Sequence, residues 1–226
     1  MKHGSSYEAV LFDLDGTLIE FEFKAKESRE AIFELLRTRG IDVSLFSSSL
    51  RTQALLDDLK GATGESYQAL RSEIYGILDS FEMEAFDRAK AHPGSLQTLI
   101  RIAKRGIKTA LVTNSGRAPV NAKLGKYGFT PYFDALVTRD EMARLKPAPD
   151  GIILALEKLS VQSDDALYVG DSILDIEASR VAGVKCVSVA SGLYQAEELA
   201  QHSPDFLIHR IEELEGIVFP SGRLGI

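Results

Sequence analysis

Val10-Leu11-Phe12-Asp13-Leu14-Asp15-Gly16-Thr17 is the stretch on which the fold turns. Val10 to Phe12 is a short apolar run rich in β-forming residues, the pattern of a strand buried on both faces. It stops on two carboxylates one residue apart, followed by Gly16 and Thr17. Successive strand side chains point to opposite faces, but the strand ends here, and Gly16 permits a tight turn that brings both carboxylates to one mouth. In open α/β sheets, ligands bind at such carboxyl ends of strands. Two close carboxylates repel unless a proton, hydrogen bond or cation intervenes. A bound Mg²⁺, which takes oxygen ligands, meets that need. Taken alone, the eight residues also fit a plain Asp-Gly turn with solvated carboxylates. The rest of the chain weighs against that simpler reading.

The chain has 226 residues, room for one large domain or two smaller ones with a sizeable core. A net charge of −7 argues against non-specific nucleic-acid binding and against a basic membrane patch. The single Cys186 rules out an intramolecular disulfide and a cysteine-based zinc cluster. It sits in the apolar run Val184 to Val189 and reads as a buried strand thiol. No apolar run is long enough to span a bilayer, and the polar start, Met1 to Ser6, carries no signal-peptide core. The expectation is a cytoplasmic protein, with monomer or homodimer left open.

After Thr17, the near alternation of Leu18 to Phe23 suggests a short hairpin or flap. Helical patterns follow over Ala25–Arg39, Ser44–Leu59 and Glu65–Lys90, with Gly61 to Gly64 as a separator and Gly76 as a point of bending. From His92-Pro93-Gly94 the character changes to alternation. Helices are expected at Ser95–Arg105, Pro119–Tyr127, Asp150–Leu159 and Ile173–Ala182. Strands are expected at Ile107–Thr113, Ala135–Val137, Ala166–Val169, Cys186–Val189 and Phe206–Ile208. That alternation predicts an α/β fold, a doubly wound parallel Rossmann-like sheet. Since the first strand belongs to the same sheet, the helical block is an insert. The expected division is a core of 7–23 and 92–226 with a helical cap of 24–91, placed over the mouth at Asp13.

Three further strand ends carry polar residues. Thr113-Asn114-Ser115-Gly116 offers hydroxyls and backbone amides that can hold an anion, or simply a capping loop. Lys146-Pro147-Ala148-Pro149 sets a lysine on a loop stiffened by prolines. Gly170-Asp171-Ser172 ends another strand, with Asp175 one helical turn on. These four segments, in this order, resemble the motifs of the haloacid-dehalogenase-like hydrolase superfamily, and the insert stands where that family's C1-type cap is found.

The resemblance implies roles residue by residue. Asp13 would be the nucleophile that forms an aspartyl-phosphate. Asp15 would protonate the leaving oxygen and then activate water. Asp13, Asp171 and the main-chain carbonyl of Asp15 would hold Mg²⁺. Gly16, Thr113, the Asn114 amide and Lys146 would bind the phosphoryl group. Asp175 would orient Lys146 or a metal-bound water. A carboxylate at Asp15 separates the chain from dehalogenases and phosphonate-cleaving relatives, which lack one there. The implied activity is hydrolysis of a small phosphorylated metabolite, in the manner of phosphoglycolate phosphatase. A phosphosugar mutase of the β-phosphoglucomutase kind shares fold, cap class and intermediate. An inactive regulatory protein that binds a phosphorylated metabolite is the rival from outside enzymology. Neither a serine-hydrolase elbow nor a glycine-rich nucleotide fingerprint occurs. Within the insert, Lys24, Arg51, Tyr67 and Arg71 are the candidates for substrate contact, while the polar run Ser47-Ser48-Ser49 lacks an obvious pair of sugar-binding side chains, which favours the phosphatase over the mutase.

Overall fold

The computed structural model describes residues 7–46 and 51–220. Two strands open the chain, β1 (Ala9–Phe12) and β2 (Ile19–Glu20). Three helices follow, α1 (Ala25–Thr38), α2 (Thr52–Thr63) and α3 (Tyr67–Phe86), and then β3 (Lys90–Ala91). The alternating part comprises α4 (Ser95–Lys104), β4 (Lys108–Val112), α5 (Arg117–Tyr127), β5 (Ala135–Val137), α6 (Asp150–Leu159), β6 (Ala166–Gly170), α7 (Ile173–Ala182) and β7 (Lys185–Val189). Then come α8 (Ala196–Gln201), β8 (Phe206–Ile208) and α9 (Leu214–Val218).

Six strands form one parallel sheet in the order β5-β4-β1-β6-β7-β8. The predicted doubly wound α/β sheet is present, with β1 in the middle. Its four residues are completely buried, as a strand covered on both faces requires. Phe12 lies in register with Leu111 on one side and Val169 on the other, so β1, β4 and β6 end at the same edge. The chain winds outward from β4 to β5, then crosses β1 and winds the other way from β6. The carboxyl edge of β1 is therefore the topological switch point, where a crevice opens.

The chain divides into two compact units. One runs to Phe21 and resumes at Ala89; the other is Glu22–Arg88. Of the hairpin or flap expected in Leu18–Phe23, a local hairpin does not form. Instead β2 pairs antiparallel with β3, Ile19 against Ala91 and Glu20 against Lys90. A two-residue strand gains too little to close its own hairpin, and it finds its partner on the returning chain.

In the helical unit, Ile32 and Leu36 of α1, Leu55, Leu56 and Leu59 of α2, and Leu70, Ile74 and Leu78 of α3 are buried. The long helix predicted from Ser44 is not formed as drawn. Val43–Leu45 is a single 3₁₀ turn and α2 starts at Thr52, while Ser47-Ser48-Ser49 lies outside the described residues. Nor does Gly61 end α2, which stops at Gly64, the residue with positive φ. Gly76 does not break α3, which runs through it.

Candidate active site

Asp13 follows the last residue of β1, and its backbone N–H donates to Val169 O at 2.8 Å, which ties the strand end to β6. Gly16 adopts φ +92°, a conformation that L side chains rarely reach. A Cβ there would come within 2.2 Å of Asp171 Oδ2, and one at Gly192 within 1.7 Å of the same atom. Two glycines thus form a cradle around the Asp171 carboxylate. Thr17 Oγ1 completes it by donating to Asp171 Oδ1 at 3.0 Å.

Asp13, Asp171 and Asp175 each place a carboxylate oxygen within 4.8 Å of the others, and all three are buried. Lys146 Nζ reaches into this group, 2.7 Å from Asp13 Oδ1 and 2.6 Å from Asp175 Oδ1. It also donates to the Tyr168 hydroxyl at 2.9 Å. Asp175 is fully committed. Its Oδ1 accepts from Lys146 and Tyr168, and its Oδ2 accepts from the backbone and hydroxyl of Ser172. Four donors fill the acceptor capacity of one carboxylate. Asp175 therefore holds Lys146 and caps α7, leaving Asp13 and Asp171 as the pair suited to a cation.

Burial pushes the Asp13 carboxyl up to about 7; Lys146 opposes the rise, and Asp175 and Asp15 add to it. Asp171 stands well above the usual carboxylate range, through burial first and then the charges of Asp13 and Asp175. Burial disfavours the charge of Lys146, but Asp13 and Asp175 together outweigh it and raise its pKa. Three carboxylates against one ammonium leave a surplus of negative charge, and the donors are all oxygen. Such a set fits a hard divalent cation.

Asp15 belongs to a separate arrangement. Lys123 Nζ lies 2.6 Å from its Oδ1, and Ser115 Oγ donates to its Oδ2 at 2.6 Å. Lys123 comes from the middle of α5 and is fully buried, while Ser115 comes from the turn after β4. Thr113 is buried at the end of β4, and its hydroxyl accepts from the Ser115 backbone at 3.2 Å. The Asn114 side chain faces the lysine loop. It accepts from Lys146 N at 2.9 Å and donates to Lys146 O at 3.2 Å. The buried Arg139 donates to Asn114 O at 3.0 Å, so the two loops are laced together before any ligand arrives.

All the residues singled out in the core sequence thus lie at one edge of the sheet. Sequence reading missed Lys123, Tyr168 and Gly192, and it quoted Thr17 and Ser115 in their motifs without foreseeing that they hold Asp171 and Asp15. Of the three missed, only Lys123 left a trace there, as a charge on the otherwise apolar stripe Val120, Leu124 and Tyr127. Within the helical unit, Lys24 pairs with Glu84, Arg71 lies 4.9 Å from the centre of the Tyr75 ring, and Tyr67 is buried.

A family model described as haloacid dehalogenase-like hydrolase matches residues 7–183. The chain is 32% identical to a Bacillus pumilus protein named pyrophosphatase PpaX, over 95% of this chain and 97% of that one. It is 26% identical to a phosphoglycolate phosphatase from Pseudomonas fluorescens, over 91% of this chain and 77% of that one. A hydrolase structure from Pseudomonas syringae shares the fold with a TM-score of 0.67 and 23% identity, covering 93% of this chain and 99% of that one. The family match over most of the length makes the chain an enzyme of the haloacid dehalogenase-like hydrolase family.

Proposed function

We propose that this phosphoric monoester hydrolase takes a small phosphorylated metabolite and works through an aspartyl-phosphate on Asp13. The observation that carries the reading is Asp13 itself, a buried carboxylate at the switch point with Lys146 Nζ 2.7 Å away. An oxygen of Asp13 attacks phosphorus as the bond to the leaving oxygen breaks, and Asp15 gives that oxygen its proton. Water then attacks the phosphorus, Asp15 takes its proton, and the bond to Asp13 breaks to release inorganic phosphate. Thr113, the Asn114 backbone amide and Lys146 hold the phosphoryl oxygens, so that positioning and fixed charge supply most of the rate. Asp13, Asp171 and the Asp15 main-chain carbonyl would hold Mg²⁺, whose chemistry is to neutralise charge on the transferring group. The helical unit, inserted between β2 and β3, is assigned substrate selection.

The 32% identity with a pyrophosphatase favours a second substrate class, inorganic pyrophosphate, which breaks an anhydride by the same two steps. One panel separates these readings: phosphoglycolate, pyrophosphate, p-nitrophenyl phosphate and a hexose 1-phosphate, each with Mg²⁺ and with excess chelator. Mg²⁺-dependent release of phosphate is expected. Full activity in chelator overturns the metal assignment, an isomerised hexose phosphate makes the enzyme a mutase, and label trapped on any residue but Asp13 overturns the covalent route.

A further inference from the structure

Lys123 occupies a place where helix patterning calls for an apolar side chain. It lies on α5 between Val120 and Leu124, both essentially inaccessible to solvent, and it is itself completely buried. Burying an ammonium is costly unless a partner of opposite charge is built in with good geometry. Here that partner is Asp15, whose Oδ1 stands 2.6 Å from Nζ, and whose side chain keeps only 16% of its exposure. On its other side the ammonium lies 3.5 Å from the centre of the Phe21 ring, a cation–π contact that keeps it dry and directed. Ser115 grips the second oxygen at 2.6 Å.

Both oxygens of Asp15 are thus held, one from α5 and one from the turn after β4. A carboxyl group fixed at both oxygens has one orientation about its terminal torsion, whereas a free one samples a broad range. Proton transfer in a transition state demands that restriction, since the donor must stand within hydrogen-bond reach of the leaving oxygen.

We propose that Lys123 is a positioning residue for Asp15, one that aims the proton-transferring carboxyl at the leaving oxygen with the help of Ser115 and Phe21. The proposal rests on the reading of Asp15 as the proton donor. It predicts a defect that depends on the leaving group. An alkoxide needs its proton as the bond breaks, whereas p-nitrophenolate leaves nearly unaided. Loss of aim at Asp15 therefore damages hydrolysis of alkyl esters selectively, while general loss of packing slows both kinds of ester alike.

The test measures kcat/KM for glycerol 2-phosphate and for p-nitrophenyl phosphate, because that constant reports the steps up to departure of the leaving group. Lys123→Met fits the length and apolar surroundings of the site. We expect it to lower the alkyl-to-aryl ratio at least about tenfold, a share of the 10²- to 10⁴-fold that a general acid supplies. Asp15→Asn serves as the reference and is expected to lower the ratio further. If Asp15→Asn lowers the ratio and Lys123→Met leaves it unchanged, the positioning role is overturned while the donor reading stands. If Asp15→Asn itself leaves the ratio unchanged, the donor reading fails and the proposal falls with it. Thermal melting shows whether Lys123→Met is folded at the assay temperature. Should it not be, Ser115→Ala, which removes one oxygen from the turn, carries the same test with a smaller expected fall.

Discussion

The two units spend buried charge very differently. In the helical unit the ion pairs Lys24 with Glu84 and Arg39 with Glu73 sit at the surface, and Glu82 is the single buried charged residue among those described. In the other unit Asp13, Lys123, Arg139, Lys146, Asp171 and Asp175 are all buried. Surface pairs are worth little, and buried ones return less than apolar packing of the same volume. A fold has no stability motive for gathering six buried charges. Their concentration at the carboxyl edge of β1 marks where stability has been given up for chemistry, and the apolar interior of Glu22–Arg88 shows what the chain does where no such demand exists.

The sharpest way to break this comparison is Asp13→Asn. The amide keeps the shape of the carboxylate but cannot form the covalent bond proposed for Asp13, so kcat is expected to fall by at least about 10⁴-fold, the scale seen when a nucleophile is removed. Because the substitution also removes one of three crowded carboxylates, the melting temperature should stay level or rise. A loss of fold that parallels the loss of rate would show Asp13 to be a structural residue, and the contrast between the units would lose its basis.

How far the site could be read from sequence follows the same division. Asp13, Asp15 and Asp171 could be placed because they follow strands that apolar runs locate, and Lys146 because two prolines mark its loop ahead of α6. The strands Ala135–Val137 and Phe206–Ile208 and the helices Asp150–Leu159 and Ile173–Ala182 were placed with their observed bounds. Lys123 left no more than a charge on an apolar stripe, and its role was hidden because its partner Asp15 is 108 residues away and a lysine on a helix is ordinarily solvated. Tyr168 reads as one more strand residue until its hydroxyl is seen bridging Lys146 and Asp175. The short helices Ala196–Gln201 and Leu214–Val218 have too few residues to establish a period. In the helical unit the miss ran the other way: apolar spacing drew a helix from Ser44, but the chain makes a 3₁₀ turn at Val43–Leu45 and starts its helix at Thr52.

A smaller effect sharpens the comparison through stability. Lys146→Met leaves Asp13 and Asp175 buried without their ammonium, and removing one partner of such a pair costs about 3–5 kcal/mol. Urea unfolding of the metal-free protein should show that loss. Arg39→Ala, which cuts a pair of short hydrogen bonds to Glu73 at the surface, should cost at most about 1 kcal/mol in the same assay. Equal losses at the two positions would mean that burial does not separate the two classes of ion pair here.

The smallest expected effect concerns glycine, and it has opposite signs in the two units. Gly76 lies inside α3, exposed, and a Cβ added there meets nothing within 4 Å. Its φ is not positive, so alanine fits the existing backbone. Gly76→Ala should then stabilise the protein by about 0.5–1 kcal/mol, through the reduced freedom of the unfolded chain and the better helix propensity of alanine. Hydrolysis of p-nitrophenyl phosphate should be unchanged. Gly192 offers no such latitude, since its Cβ would lie 1.7 Å from Asp171 Oδ2, and the carboxylate it would displace is already held by Thr17. If Asp171 holds Mg²⁺ as proposed, Gly192→Ala should reduce turnover by moving it. Thermal melts and a Mg²⁺ titration of both variants read the two signs side by side. A destabilised Gly76→Ala would reveal a packing need on the exposed face of α3, and an unaffected Gly192→Ala would show that the cradle around Asp171 yields without cost.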